Sequence, residues 1–563
     1  MTKTKSLLTI LLVIIYSVSN AQINDIAVKS IDSMVNNWNR AKAPGGAIGI
    51  MQNGKIIYTN SFGLASIDYN IPNRDTTLFN IASISKQFTS LGIIKLHLEG
   101  KLSIDDDIRK YLPFVPDFGN KITIRHLMHH TSGLRDLHSI LTLAGWREND
   151  PRSNKDLIRV MKNQRDLNFK PGDMYLYSNT NYIFMALIIE YITDEVFEQW
   201  MKREIFNPLG LHNTYVEANS TDVVPNNATS YNQKKDNSYS RSVEYWNYTG
   251  SGNIHTNVYD LLRWQNNYIK PTPGWEKAFD MIQTTDLLNN GDYLDYAFGV
   301  RIDSINNIKR VSHGGSIGGF RSFACTFPDK NISIVLLTNF SRGNPRGKLN
   351  RVAEIIIPEL KEIADKEVLF NNKKTAKIRN IKKFEGDYWF DKAYSWRKIY
   401  VKNDTLWYHR KMGNESPLRY IGNSEFIIMP KAKWRVKFIT DKRVVKSMIV
   451  KSNRFTNIFK PFTPVDISPE YIKEYTGRYY SPELDTYYTI TSEDDTLMGH
   501  HPRHGDFLIE ALAKRDKFIS NSPLKEILFI RDSNNNIIGM RVSYSRVKNL
   551  WLKKVSKVDF NIL

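Results

Sequence analysis

The chain has 563 residues, past the size at which one hydrophobic core stops growing, so two or more domains are expected. Its composition, 41% hydrophobic and 12% aromatic with no long low-complexity tract, excludes a disordered protein; the single cysteine, Cys325, excludes an intrachain disulfide and thiolate-built zinc or iron–sulfur sites. A formal charge of +20 would draw an exported protein to anionic polymers or headgroups, but the basic residues are scattered and no nucleic-acid motif occurs, so a solvated basic surface is expected.

Lys3 and Lys5 precede an apolar run from Leu7 to Val18 that is short for a bilayer span. Ser19-Asn20-Ala21 then places small residues where a signal peptidase reads. Residues 1–21 are therefore expected to be a signal peptide, cleaved before Gln22, with an uncleaved anchor as the alternative. No later run approaches twenty apolar residues, so no integral membrane segment is expected after signal removal, and the mature protein is placed in the periplasm or outside the cell.

Residues 25–41 have helical spacing. Ala47–Met51 and Lys55–Tyr58 flank Asn53-Gly54, the signature of a tight hairpin. A largely helical stretch follows from about 83 to 270. It opens on Ser83-Ile84-Ser85-Lys86, continued by Phe88, Leu91, Ile94 and Leu98. Positions i and i+3 share a helix face, so the Ser83 hydroxyl and the Lys86 amine can meet near the positive end of the helix dipole. A lysine serves as base only if its surroundings depress its pKa. The tetrapeptide alone is weak, because Ser-x-x-Lys recurs at Ser395, Ser522 and Ser545, and a helix cap with an ordinary lysine has the same form. Tyr177-Ser178-Asn179 follows a Pro171-Gly172 turn and opens an apolar helix; a phenol there can relay the serine proton and the amide can hold Lys86 or a carbonyl. Tyr-x-Asn also recurs, at Tyr58 and Tyr245.

Strands are predicted at 296–302, 309–313, 321–327 and 332–338, then a helix through Val352, Ile355, Ile356, Leu360 and Ile363. Ser312-His313-Gly314-Gly315-Ser316 lies among these strands, and His313 begins the chain's only His-x-Gly. Glycines there let a backbone approach a substrate and leave its amides facing an oxyanion; a hairpin bend with an exposed histidine is the alternative. Cys325, in an apolar strand, reads as a small buried filler. Strands from both ends of this region imply one antiparallel sheet with helices on its faces, an α+β domain.

After about residue 365 the texture changes. Lys373–Lys377 looks like a linker, followed by short aromatic-rich strands with frequent turns, which suggests barrels or sandwiches. Phe384-Glu385-Gly386-Asp387-Tyr388 is echoed by Tyr475-Thr476-Gly477-Arg478-Tyr479, and Asn403-Asp404-Thr405-Leu406 by Asp494-Asp495-Thr496-Leu497, both at an offset of roughly ninety residues. Two successive small antiparallel β-modules are expected, with one larger β-domain as the alternative. The expected organisation is a signal peptide at 1–21, a catalytic domain at 22–365, a linker at 366–382 and β-modules at 383–464 and 465–563.

The stretches Phe79–Lys86, Ile122–Leu134, Pro171-Gly172 with Tyr177-Ser178-Asn179, Asn207–Leu211 and His313-Gly314-Gly315 together resemble the class C β-lactamase-like serine hydrolases of the penicillin-recognising superfamily, over residues 25 to 360. The β-modules resemble, more loosely, the paired lipocalin-like C-terminal barrels of D-aminopeptidase-type members. The resemblance implies Ser83 as nucleophile, Lys86 as its base, Tyr177 as the acid/base for the leaving group and Asn179 as the residue orienting Lys86 and substrate. It puts His313 where many relatives have the lysine of Lys-Thr-Gly, and the oxyanion hole at the backbone N–H groups of Ser83 and Ser316 beside Gly315. His-Gly-Gly lacks the charge and the hydroxyl that hold a substrate carboxylate, which shifts weight toward an esterase, amidase or aminopeptidase; Arg321 is a candidate for the missing charge.

His126, His129 and His130 crowd one short helix and could suggest a metal, but no acidic or thiol ligand accompanies them and a structural role is expected; His500, His501 and His504 are expected in a polar loop of the second module, with weak metal binding or a reach into the cleft as the alternative. No metal or organic cofactor is implied. The expected activity is hydrolysis, through a Ser83 acyl-enzyme, of amide or ester bonds in small peptides, D-aminoacyl compounds or esters, including cell-wall-derived ones. A β-lactamase or DD-carboxypeptidase on the same site is one alternative. A non-catalytic cell-envelope-binding protein is the other.

Overall fold

A computed structural model describes residues 25–36, 42–361, 380–391, 395–410, 414–429, 434–442, 444–452, 456–465, 468–493, 496–512 and 514–556. The expected signal peptide, most of the expected linker, Ile363 and Asp494-Asp495 of the repeat lie outside these residues.

The hairpin predicted around Asn53-Gly54 forms, with both residues at positive φ (51° and 75°) as such a two-residue turn requires. Its strands, Gly46–Gln52 and Lys55–Phe62, complete a six-stranded antiparallel sheet with Arg301–Ile305, Ile308–Ile317, Phe320–Phe327 and Ile332–Thr338. Gly46 pairs with Thr338 and Gln52 with Ile332, so the two ends of the domain share one sheet. Every residue of Ile332–Thr338 is buried, because both faces are covered. Ile48, Ile50, Ile334 and Leu336 pack with Ile31 of helix Asp25–Asn36 and with Leu349 and Val352 of helix Pro345–Ile356. Ala47, Val335 and Leu337 belong to the larger core on the other face, with Val258 and Leu262 of helix Val258–Asn266. This is the period-2 alternation of a strand between two helical layers. Cys325 is fully buried on the first of these faces, where burial pushes its thiol up to about 12.

Two elements differ from expectation. The strand predicted at 296–302 begins only at Arg301. Ahead of it, Gly299 takes a φ of 83° and a Cβ there would come within 2.8 Å of the Lys86 carbonyl oxygen, so the segment turns to let the Lys86 backbone pass. The closing helix ends at Ile356, because Pro358 cannot continue it, and Leu360 falls in a separate short 3-10 turn.

Beyond residue 380 there are two closed eight-stranded antiparallel barrels. The first closes where Gly386–Phe390 pairs with Thr456–Phe462, the second where Gly477–Ser481 pairs with Val547–Val555. The sequence repeat has a structural counterpart: Tyr388 donates to the Phe384 carbonyl at 2.8 Å, and Tyr479 to the Tyr475 carbonyl at 2.8 Å. Each pair anchors the start of its barrel in a buried position. The first barrel has a core of its own, whereas core residues of the second belong to the same cluster as the catalytic domain's helices. Tyr488 donates to the Leu143 carbonyl at 2.7 Å, and Asn168 takes Lys548 N–H at 2.8 Å while giving an amide hydrogen to the Arg546 carbonyl at 3.0 Å. The last module in the chain thus lies against the helical half of the catalytic domain.

Candidate active site

Ser83 sits in a 3-10 turn, Ala82–Ser85, that runs into the helix Lys86–Leu98. In a 3-10 turn residues i and i+3 eclipse, which brings Lys86 beneath Ser83 more directly than an α-turn would. The turn is entered through Ala82 at φ 49°, a strained conformation for a residue with a Cβ. Two bonds hold it: Ala82 N–H to Asn80 Oδ1 at 2.8 Å and Ile84 N–H to the Ile81 carbonyl at 3.2 Å. Ala82 and Ile84 are buried while Ser83 is only half-buried, so the turn presents its hydroxyl alone. The Ser83 N–H, at the head of the turn, has no acceptor within it.

Lys86 is fully buried. Its Nζ lies 3.2 Å from Ser83 Oγ, 2.9 Å from Asn179 Oδ1 and 2.5 Å from the Ser251 carbonyl. Burial first, and Arg546 second, hold its pKa well below the ordinary lysine value. A neutral amine has two hydrogens and one lone pair. With the hydrogens given to Asn179 and Ser251, the lone pair faces the Ser83 hydroxyl, the arrangement a base requires.

Asn179 opens the helix Asn179–Thr193 and is aligned by Asp136, whose Oδ2 accepts its backbone N–H at 2.7 Å and its Nδ2 at 3.1 Å. Burial works against the Asp136 charge, but Arg546 and the backbone N–H groups of Asn179 and Ser139 outweigh it and keep the carboxyl low. The Tyr177 ring lies 4.9 Å from Lys86 Nζ and packs on the His130 ring at 4.2 Å. Its hydroxyl is buried with no well-formed hydrogen bond among the described residues, Ser83 being a weak neighbour. Burial drives this phenol far above its usual pKa, with Ser83 and Arg546 opposing.

His313 sits on the strand Ile308–Ile317, paired with Ala324, so the glycines after it are strand residues and not a bend. Its Nδ1 is 2.7 Å from the Gly314 carbonyl, which can only accept, so Nδ1 carries the proton and Nε2 receives the Tyr296 hydroxyl at 3.0 Å. Burial lowers it to about 3, so it presents a neutral ring to the cleft. A Cβ at Gly315 would sit 2.1 Å from the Ile81 carbonyl oxygen; only glycine lets this strand touch the turn that carries Ser83. Ser316 follows and lines the cleft with Ser83, Tyr177, Asn179, His313 and Gly315. All the predicted site residues therefore line one cleft of about 730 Å³ except Lys86, which lies beneath its floor. Arg321 lines it as well, with Nη1 turned back on the Gly318 and Phe320 carbonyls at 2.7 Å each.

Of the histidines singled out in the sequence, His126, His129, His130 and His504 serve the framework, while His500 and His501 end the strand Thr496–His501 and do not lie in a loop. His126 caps the helix Ile124–Met128, and His129 Nδ1 meets the Tyr296 carbonyl at 2.8 Å. His130 backs Tyr177 and takes the Ser178 N–H at 3.1 Å. His504 Nε2 meets the Thr142 carbonyl at 2.8 Å, across the contact between second barrel and catalytic domain. Sequence reading missed Asp136, the Ser251 carbonyl and Arg546. The only local signal was Ser545-Arg546-Val547-Lys548, one of the recurrent Ser-x-x-Lys matches, which proves to be the barrel turn at the cleft.

A family sequence profile described as Beta-lactamase matches residues 31–357. Penicillin-binding protein 4* of Bacillus subtilis (strain 168) is 31% identical over 313 residues, 52% of this chain and 68% of that protein. A D-aminopeptidase of Gluconobacter oxydans (strain 621H) is 25% identical over 300 residues, 53% of this chain and little more than half, 56%, of its own length. The octameric penicillin-binding protein homologue from Pyrococcus abyssi shares the fold with a TM-score of 0.54 at 22% identity, over 77% of this chain and 99% of that one. A D-stereospecific amidohydrolase from Streptomyces sp. shares it at 0.50 and 21%, over 60% of this chain and 99% of that one.

Proposed function

The chain belongs to the beta-lactamase family of serine hydrolases, and from that premise we propose that it cleaves amide or ester bonds of small peptides, D-aminoacyl compounds or esters through an acyl-enzyme on Ser83. The observation that carries the proposal is Lys86: a buried amine beside Ser83 Oγ at 3.2 Å, depressed in pKa, with its two other partners both acceptors. Ser83 Oγ attacks the carbonyl as its proton passes to Lys86. The oxyanion is held by the N–H groups of Ser83 and Ser316, where losing one donor typically costs about 10²–10³ in rate. Tyr177 gives its proton to the leaving group and is reprotonated from Lys86. Water then attacks the ester, giving one proton to the departing serine and leaving the acid. Asn179 aligns Lys86 throughout, and the neutral His313 with Gly315 walls the substrate. No step requires a metal or organic cofactor.

A second reading, a β-lactamase or DD-carboxypeptidase on the same site, is favoured by one feature of the cleft. Arg301, Arg321, Arg342, Arg346 and Arg546 line it, and no carboxylate among the described residues does, a setting suited to a substrate carboxylate. The segment 1–21 supports export, and no helix among the described residues is long and apolar enough to cross a membrane.

The test is a screen of the full-length enzyme against D- and L-aminoacyl amides, short esters and cephalosporins, with Ser83→Ala alongside. Turnover of amides or esters with an acyl adduct on Ser83, absent from S83A, is the expected result. Full activity in S83A would overturn the mechanism, and faster cephalosporin turnover would select the second reading.

A further inference from the structure

We propose that Arg546, carried on the last turn of the second barrel, is a positioning residue of the catalytic centre: it balances the charge of Asp136 behind Asn179 and disfavours a second cation at Lys86. The inference rests on Lys86 acting as the base.

The turn joins strands Ile537–Tyr544 and Val547–Val555, with Ser545 at φ 51° making the reversal. Its backbone is pinned to the catalytic domain on both sides of Arg546. The Arg546 N–H reaches Ser139 Oγ at 3.3 Å, its carbonyl takes an Asn168 amide hydrogen at 3.0 Å, and Lys548 N–H reaches Asn168 Oδ1 at 2.8 Å. From this fixed point the guanidinium lies over the Tyr177 ring at 4.7 Å. Its Nη1 is 3.5 Å from Asp136 Oδ2, the same oxygen that holds both hydrogens of Asn179. The Asp136 side chain is 1% exposed and the Arg546 side chain 37%, so a buried anion meets a cation that enters from the cleft. Without that cation the carboxylate would be stranded in a medium that penalises charge, and its hold on Asn179 would change.

The groups facing Lys86 from each packed element are Ser83, Asn179, the Tyr177 and Tyr182 rings and the Ser251 carbonyl, none of them charged. Further out, burial keeps His130 well below its usual value, His138 at about 4 and His313 at about 3, so these rings are neutral. The charges left to act are Arg546 and Asp136, which push the lysine in opposite directions. Lys86 and Arg546 both lie within 5 Å of the Tyr177 ring centre (4.9 Å and 4.7 Å), so they are no more than about 10 Å apart. At that range one cation displaces the titration of another by about one pH unit. Activity needs neutral Lys86, so it rises with pH through the Lys86 pKa; removing Arg546 raises that pKa and moves the rise to higher pH.

The experiment is the pH dependence of kcat/KM for a short ester, measured on the full chain for wild type, Arg546→Gln, Arg546→Lys, Asp136→Asn and Lys86→Met. The expected result is an acidic limb about one unit more alkaline in R546Q, roughly a tenfold loss on the limb, and near its wild-type position in R546K. In D136N it moves to lower pH. R546Q losing rate evenly at all pH values with the limb unmoved would overturn the inference, as would R546K matching R546Q. Should R546Q fail to fold, the limb in D136N decides: a shift to lower pH supports the inference, and no shift or an alkaline one overturns it. The base assignment is tested separately, because K86M retaining activity with an unchanged limb would remove that assignment whatever Arg546 does.

Discussion

Tyr177 carries a buried hydroxyl with no well-formed hydrogen bond among the described residues and only Ser83 acting weakly on it, in surroundings that keep it a phenol. In the proposed reaction it therefore starts as the proton donor, while Lys86, held as a free amine, starts as the acceptor. This separates its catalytic value from its structural value. Tyr177→Phe loses at most a weak contact with Ser83 and keeps the ring against His130 and Arg546, so its stability should lie within about 0.5 kcal/mol of wild type. Its kcat should fall by about 10²–10⁴. Thermal melting beside steady-state rates checks this, and a loss of stability without a loss of turnover would contradict it. Ser83, Lys86, Tyr177 and Asn179 were legible in the sequence through the order of their motifs and the family resemblance, since each short motif recurs elsewhere in the chain. Asp136 and Arg546 were not. Asp136 acts on a residue 43 positions away and Arg546 on one 410 positions away, and no local pattern encodes such contacts.

The strand Ile308–Ile317 and the nucleophile turn touch through glycine. A Cβ on Gly315 would meet the Ile81 carbonyl oxygen at 2.1 Å and Ser322 Oγ at 2.3 Å, and Ser322 Oγ itself binds that carbonyl at 3.0 Å. Backbone oxygens cannot swing aside as a side chain does, so Gly315→Ala must drive the strand away from the turn. We expect a loss of about 1–3 kcal/mol in stability, and a fall in kcat because the Ser83 and Ser316 amides separate. Gly314→Ala, one position earlier, first meets the Phe323 side chain at 3.3 Å and should be milder on both counts. Denaturant unfolding and kcat for the two variants make the comparison, and equal effects would refute it. Sequence pattern located the Asn53-Gly54 hairpin and the strand at 332–338 and implied one sheet from both ends of the domain, because turn residues and short apolar runs mark strands locally; which strands pair is visible only in the fold. The same pattern misplaced the strand start at 296 because Tyr296, Ala297 and Phe298 look like strand residues, whereas their backbone is bent by the close passage of Lys86 at Gly299.

At the scale of the whole molecule, the two barrels were announced by aromatic alternation and by a repeated tyrosine, but the seat of the second barrel was not. Glu483 explains why: in sequence it is a carboxylate in a Pro-containing turn, indistinguishable from a solvated one. In the fold it is 2% exposed and paired with Arg135, 1% exposed, across the contact between barrel and catalytic domain. Burial dominates the shifts of both partners, raising Glu483 and lowering Arg135, so neither charge would be tolerated there alone. Arg135 also leaves Nε and Nη2 without partners among the described residues, which makes the loss of Glu483 harder to absorb. Glu483→Ala should cost about 3–5 kcal/mol, and the paired Arg135→Met/Glu483→Leu replacement far less than the sum of the single changes, because breaking a buried pair strands a charge that removing both does not. A double-mutant cycle by chemical unfolding measures this, and additive single effects would argue against the coupling. Arg135 adjoins Asp136, and the docked barrel delivers Arg546 to that carboxylate. E483A should therefore also move the acidic limb of kcat/KM toward the position found in R546Q, although Glu483 itself does not line the cleft.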